Sequence, residues 1–440
     1  MEKSIQRRML EFCIPIIFMY IINQAYSFVD NVIVATYVNE RALAILSSCM
    51  SVINVGFSLT SGIGSAASLL VSRHVGAKEY DKLPRILRDA VMVGLMLSAL
   101  IVTFFFLFTR PLLSVIHTPA EIVNETTILV YIYTLSIVMG ILCAVLHSSL
   151  SGMGESKRPT FYITLTQVLN IVLDIVVVKY LHWGVNGAAL ASLFSQFVSI
   201  LFLIPLLKRK LGEYNVTFQT RTTESFTGKV LRLGVPCLLQ QSVMSVGALF
   251  INSYVNTFGV SYISGFSAVN TIGNLMLVPM LGITTTLEIF SSMSIGAKNK
   301  DQLHTVKRTL FPIGLIFCGI VIASSLALKQ AFVGLFLENP NGESFSFATT
   351  YLVFYSFSYL FIFVKYFFDS LFKAYQKVSF FVVTSFVALG NRILFTYLLA
   401  PVLQVQSVIA ATLLGNLIAM LTAIVLYALN IRKFNQAVNL

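Results

Sequence analysis

Long uncharged apolar runs alternate with short polar breaks along the whole chain. This alternation predicts twelve membrane-crossing helices, at roughly 20 residues and a short loop each. Their approximate limits are 10–36, 43–72, 87–109, 124–150, 160–179, 185–207, 229–257, 261–294, 308–333, 346–372, 379–401 and 405–430. The first span contains an uncharged core, Phe12 to Val29, long enough to cross a bilayer. Asp30 follows it, and the apolar run then resumes from Val32 to Ala35. A carboxylate at that depth is costly unless it faces a cavity or a partner. Pro15, near the start of the same span, is placed to kink the helix and is the expected hinge.

Composition agrees with this pattern. Of the 440 residues, 57% are hydrophobic and 11% charged, whereas a soluble chain carries about 25% charged residues. The fold class is therefore all-α and integral to the membrane. Lys3, Arg7 and Arg8 precede a run too long for a signal-peptide core, so the first span is expected to be retained. Cys13, Cys49, Cys143, Cys237 and Cys318 lie scattered in apolar runs without metal-ligand spacing and read as small buried hydrophobes. Gly62-x-Gly64 falls inside a span, which argues against a phosphate loop. His74, His117, His147, His182 and His304 are dispersed singly, and no clustered nucleophile accompanies them. An enzyme is not expected, and neither is a cofactor.

The formal net charge of +12 raises the question of nucleic acid, and its distribution answers it. Of the 30 Lys and Arg, 24 fall on loops of one side, including Arg73, Lys78, Lys82, Arg85 and Arg88 of the second-to-third loop. The other side keeps Arg41, Arg110, Lys179 and Lys329. By the positive-inside rule, both termini and the central linker are cytoplasmic in a multi-pass plasma-membrane protein. The excess charge then meets anionic lipid rather than nucleic acid, which would need a concentrated patch on a folded surface.

An internal repeat organises the spans. Val75-Gly76-Ala77-Lys78, with Asp81 and Leu83, recurs 220 residues later as Ile295-Gly296-Ala297-Lys298, with Asp301 and Leu303. At the same shift Arg88 meets Arg308 and Ser192 meets Thr412; at 221, Pro15 meets Pro236 and Asn170 meets Asn391. Each half holds six spans. An even number gives both halves the same topology, related by an axis along the membrane normal. The expected organisation is an N-terminal six-helix lobe (1–207), a cytoplasmic linker (208–228) and a C-terminal six-helix lobe (229–440). Two pseudo-symmetric bundles with a cleft between them suit a rocking transporter. Nothing in the sequence demands more than a monomer.

Few acids lie within spans: Asp30, Asp174, Glu288 and Asp369. Asn170 and Asp174 are about one turn apart and share a helix face. The acidic pair has no copy, since Asp30 aligns with Ile251 and Asp174 with Phe395. Two carboxylates brought together in low dielectric cannot both ionise cheaply. With an amide and a hydroxyl added, such a set holds either a proton or sodium, and the residues do not choose between them. The alternative is that Asp30 and Asp174 cap their spans at the outer interface. Asp369 has Lys365 one turn earlier and is either a second cation or substrate site or one half of a local ion pair. Glu288 either lines the cleft or sits near the cytoplasmic end, and Arg392 either meets an acid or snorkels. Tyr26, one turn before Asp30, is the aromatic expected in the cavity, where a ring attracts organic cations. Gln240, Gln241, Asn252 and Asn256 give the seventh span a polar stripe.

Two six-span halves, Pro15 and Asp30 in the first span, the paired loop motifs, and Asn170…Asp174 followed by Gly184-Val185-Asn186-Gly187-Ala188-Ala189 together resemble the multidrug and toxic compound extrusion (MATE) family, in its DinF-like branch. The resemblance covers nearly the whole chain. It implies antiport, in which an organic cation or amphiphile leaves as protons or sodium enter. It also implies a cation-coupling site at Asp30, Asn170, Asp174 and Ser192, with no metal beyond a sodium ion there. Ser192 keeps the hydroxyl of the family's usual Thr and loses its methyl. The substrate cavity is expected at Tyr26, Gln240, Gln241, Asn252, Asn256 and Asp369. The NorM-like branch uses an acid in the seventh span, which this sequence lacks, with one in the tenth, where Asp369 stands. The alternative function is a lipid-linked oligosaccharide flippase of the same superfamily, whose cleft would carry Arg or Lys such as Lys365 and Arg392 to hold pyrophosphate.

Overall fold

The structure, a computed structural model, describes residues 2–37, 40–58, 60–116, 118–220, 222–337 and 339–439. Within its helices the description leaves out the side chains of residues 2–4, 27, 28, 30–32, 34–37, 40, 55, 58, 60, 61, 246 and 437–439. Among the described residues there is no strand. The α-helices are α1 (Glu2–Tyr37), α2 (Glu40–Ser58), α3 (Thr60–Gly76), α4 (Leu83–Val115), α5 (Val123–Gly152), α6 (Lys157–Asp174), α7 (Gly184–Glu213), α8 (Thr227–Asn256), α9 (Val260–Gly296), α10 (Lys300–Gly334), α11 (Glu343–Ala374), α12 (Val378–Leu403) and α13 (Ser407–Asn439). The helices α2 and α3 cover the second predicted span, on either side of residue 59. The eleven other α-helices each carry one span, so the twelve-span fold is present.

Contacts divide the chain into two compact units: Met1–Ile17 with Ser242–Leu440, and Phe18–Gln241. The helix α1 passes from one to the other two residues beyond Pro15 and runs through that proline as a single helix. In the unit of Phe18–Gln241, α5 packs against α3, α4 and α7, and α6 against α7. In the other, α11 packs against α9, α10 and α13, and α12 against α13. One set maps onto the other at the repeat's offset, so the duplication extends from sequence to packing.

The repeated loop motif has a backbone cause. At the end of α3, Lys78 adopts φ 60°, and Glu79 N–H reaches back to His74 O at 2.9 Å. At the end of α9, Lys298 adopts φ 52°, and Asn299 N–H reaches Ser294 O at 3.0 Å. Both helices therefore close on a left-handed lysine that satisfies the last carbonyls. That conformation costs a non-glycine residue roughly 1 kcal/mol.

Gly62 and Gly64 serve helix contact. A Cβ at Gly62 would meet Leu238 of α8 at 2.4 Å, and one at Gly64 would lie 3.1 Å from Ala144 O. On α5, a Cβ at Gly152 would lie 2.7 Å from Ser68 O of α3. Small residues thus let α3 and α5 approach backbone to backbone, which is how membrane helices gain dispersion contact without a hydrophobic driving force.

The central linker is anchored to the Phe18–Gln241 unit by a buried carboxylate. Asp89 on α4 accepts from Phe226 N–H at 2.6 Å and pairs with Arg85 at 3.0 Å. Phe226 is fully buried, edge-on to the His74 ring. Tyr80 stacks on Tyr214, and Arg88 donates to Thr220 O at 3.0 Å. Glu224 bonds Lys229 at 2.6 Å and lies 3.5 Å from Lys82. The Lys229 bond is the main reason that Glu224 titrates below the ordinary carboxylate range. Its hold on Lys229 is thus present above the unfolded value and is lost as pH falls through the lower folded one. Replacing Asp89 with Ala leaves a buried N–H without an acceptor. We expect this to cost about 1–3 kcal/mol and to speed limited proteolysis between α7 and α8, read on a gel against the parent protein.

Candidate functional site

The unit of Phe18–Gln241 holds a half-open cavity of about 580 Å³, walled by α1, α2, α5, α6 and α7. Each wall is a stripe at helical spacing. The helix α1 gives Met19, Asn23 and Tyr26, and α2 gives Met50 and Phe57. From α5 come Tyr133, Ser136, Gly140, Cys143, Ala144 and His147; from α6, Ile163, Thr166, Gln167 and Asn170; from α7, Ser192, Ser195, Gln196 and Ser199. In a membrane helix the solvent side is lipid, so a polar stripe marks the face turned inward.

Ser192 Oγ is a junction in this chamber. It lies 3.4 Å from the Tyr26 hydroxyl and accepts from Asn170 Nδ2 at 3.5 Å. Gln167 donates to Asn23 Oδ1, and Cys143 Sγ–H to Ser199 Oγ at 3.5 Å. Several polar atoms remain unpaired among the described residues: the acceptors Asn170 Oδ1, Gln167 Oε1 and Gln196 Oε1, and the ring nitrogen His147 Nε2, are buried without a hydrogen-bond partner. A buried polar atom left unpaired is costly and calls for a ligand, a proton or water.

Asn170 is 2% exposed, and Asp174, one turn further along α6, is 0% exposed. Directly after Asp174 the helix widens into a π segment, Ile175–Tyr180, a distortion common at functional sites. Asp30 lies in α1, and its side chain falls outside the described residues. Of the coupling residues expected from the sequence, Asn170 and Ser192 line the chamber; Asp174 is buried one turn from Asn170 and is not among the lining residues. Of the substrate residues, Tyr26 lines it. Gln240 is buried and Gln241 exposed near the middle of α8, both in the same unit as the chamber but outside its lining. Asn252 and Asn256 are exposed and belong to the other unit.

Asp369 also belongs to that other unit, in a closed cluster. Its carboxylate accepts from Lys365 Nζ and from Thr384 Oγ1, each at 2.6 Å, and Lys365 lies 3.4 Å from Ser385 Oγ. Lys365 is 5% exposed and Asp369 3%. Glu288 on α9 pairs with Lys373 at 3.4 Å. Arg392 Nε is buried without a hydrogen-bond partner among the described residues.

His147, Gln167, Ser195, Gln196 and Ser199 line the chamber and were not expected as site residues from the sequence. Ser192, Ser195, Gln196 and Ser199 stand at i, i+3, i+4 and i+7 inside an apolar run, as do Ile163, Thr166, Gln167 and Asn170. That spacing was the available signal.

A polar chamber held inside one half of a duplicated twelve-span protein is the signature of a membrane transporter. The chain belongs to the MatE family, whose model matches residues 15–176 and again residues 236–398, an offset of 221 at their starts that coincides with the internal repeat. Members of this family are transporters, so the chain is a multi-pass membrane transporter and not an enzyme. It is 24% identical over 344 residues to the probable multidrug resistance protein YoeA of Bacillus subtilis, across 76% of this chain and 74% of that one. It is 23% identical over 341 residues to the multidrug export protein MepA of Staphylococcus haemolyticus, across 77% and 75% of the two chains. In fold it is similar to a mutant of the Vibrio cholerae MATE transporter VcmN, with a TM-score of 0.92 over 99% of both chains at 19% identity.

Proposed function

We propose that the chain is a secondary active antiporter that exports organic cations or amphiphiles from the cell in exchange for protons or sodium. The observation that carries this reading is the half-open chamber lined with amides and hydroxyls, with Asn170 buried in its wall and Asp174 buried one turn further along α6. Its volume lies within the range of pockets that take drug-sized ligands. The rings of Tyr26, Phe57 and Tyr133 suit a cation, and Met19 and Met50 repack around varied apolar shapes. Relatives named as multidrug resistance and export proteins support the same class of substrate. Among its described lining residues there is no Lys or Arg to hold a pyrophosphate, which favours export of cations over the flippase reading.

In this mechanism the coupling site is Asp30, Asn170, Asp174 and Ser192. The open Asn170 Oδ1 and the Ser192 hydroxyl are hard oxygens suited to sodium, while a carboxylate alone serves for a proton. Ion binding neutralises the acids and lets α1 bend near Pro15, where the helix leaves one compact unit for the other. The chamber shrinks and the substrate leaves. Of the substrate positions expected from the sequence, Tyr26 lines the chamber and faces the substrate there; Gln240, Gln241, Asn252, Asn256 and Asp369 lie outside its lining. The ion can drive the cycle only through different affinity for the two states. The basic loops and both termini face the cytoplasm of the plasma membrane, and the monomer is the transporting unit.

The test is uptake of fluorescent organic cations into inverted vesicles, first under an imposed pH gradient and then under a sodium gradient. Accumulation under one gradient, lost on dissipating it, is expected and names the coupling ion. No gradient-dependent movement of any cation would remove the antiport reading.

A further inference from the structure

A second hollow in the Phe18–Gln241 unit lies outside the chamber. It measures about 540 Å³ and runs along α4 past Leu87, Val91, Met92, Leu95, Met96 and Ala99, with Phe218 of the linker among its walls. Met92, Leu95 and Met96 are all exposed, so this face of α4 is turned to lipid. Among the described residues, every lining side chain is apolar except that of Arg88, and none is an acid. We propose that the groove holds an acyl chain of an anionic phospholipid, with the lipid phosphate on the Arg88 guanidinium.

Three features fit that occupant. The first is length. Arg88 and Ala99 are eleven residues apart on one helix, about 16 Å at 1.5 Å per residue. One leaflet contributes about half of a hydrocarbon core near 30 Å thick. The groove therefore spans a single leaflet, with its cation at the headgroup end. The second is donor capacity. A guanidinium has five N–H groups. Arg88 Nε donates to Pro84 O at 3.4 Å and Nη2 to Thr220 O at 3.0 Å, which leaves three N–H groups in a planar fork for phosphate oxygens. The third is sign and place. Arg88 lies in the second turn of α4, next to the basic loop expected on the cytoplasmic side, and basic pockets between helices on that side suit acidic headgroups. Because Thr220 belongs to the linker, a lipid seated here touches the group that also ties the linker to α4.

The experiment uses the full chain in nanodiscs of equimolar phosphatidylglycerol and phosphatidylcholine, followed by native mass spectrometry of the lipids that stay bound. Phosphatidylglycerol should be retained over phosphatidylcholine by about fivefold, as expected for one basic residue at the membrane surface. Arg88→Gln should erase that preference. Met96→Trp fills the groove without touching the guanidinium or the linker bond, and should lower phosphatidylglycerol retention on its own. Arg308→Gln, at the repeat-related position, should leave the preference intact. Equal retention of the two lipids by the parent protein, or an unchanged preference in both Arg88→Gln and Met96→Trp, would overturn the site.

Discussion

Replacing Asp369 with Asn, while Lys365 stays, is expected to lower stability by about 3–5 kcal/mol, roughly 3–5 degrees in the thermal midpoint of a chain this long. The reason is the surroundings. Both partners are almost wholly buried, and the ammonium has its 2.6 Å bond to the carboxylate as its strongest contact. An Asn at 369 still accepts from Thr384 but removes the negative charge that offsets Lys365. A lone ammonium in that environment is far costlier than the pair. Removing both charges together, as Lys365→Met with Asp369→Leu, should restore most of the loss, because apolar substitutes of similar volume replace a buried pair at little cost. Thr384 keeps a bond to Phe381 O at 2.9 Å in that variant, so no hydroxyl is stranded there. Thermal unfolding of the single and double variants in one detergent measures this. A single variant as stable as the parent would show that the pair is not an isolated charge balance. Efflux by the folded double variant then reports whether Asp369 has any part in transport.

The two acids show what a sequence reveals about a membrane site. Asp369 and Asp174 stand out equally as charges in apolar runs. The neighbour one turn away separates them in part: Lys365 precedes Asp369, and Asn170 precedes Asp174. That the lysine bonds Asp369, and that Thr384 from another helix completes the cluster, depends on rotamers and on a tertiary contact fifteen residues away. The spans and the duplication were legible because hydrophobic length and an integer offset survive in one dimension. The reason that the loop motif repeats was not, since a left-handed lysine is a property of the backbone. The linker was legible as polar chain, whereas its anchor joins Asp89 to Phe226 across 137 positions. The chamber itself was half legible. Its neutral stripes on α6 and α7 have helical spacing, but amides and hydroxyls also occur in spans as backbone-bonded residues, so spacing alone did not assign them to one cavity.

Asp174→Asn should abolish the dependence of drug release on the ion gradient and leave the fold intact. The substitution keeps shape and removes a titratable, cation-binding carboxylate from a position that is 0% exposed. Asn170, one turn earlier on α6, donates to Ser192, which in turn lies 3.4 Å from the Tyr26 hydroxyl; Asn170, Asp174 and Ser192 belong to the proposed coupling site. If binding of a proton or sodium ion at this site biases the two states, the coupling free energy is typically 1–3 kcal/mol, a factor of about 5–150. Drug affinity measured with and without saturating sodium, or at high and low pH, should lose that factor in the variant. Asp30→Asn should do the same if α1 supplies the second carboxylate. The amide keeps the shape of the side chain, and the thermal midpoint of the variant checks that the fold is retained. An Asp174→Asn protein that still exports drug in full, with the parent's ion dependence, would take this carboxylate out of the mechanism. The buried amide and hydroxyl of the chamber would then be ligands of the substrate instead of the ion. That reversal would be read as a changed apparent affinity for drug in Asn170→Ala and Ser192→Ala, with their ion dependence unaltered.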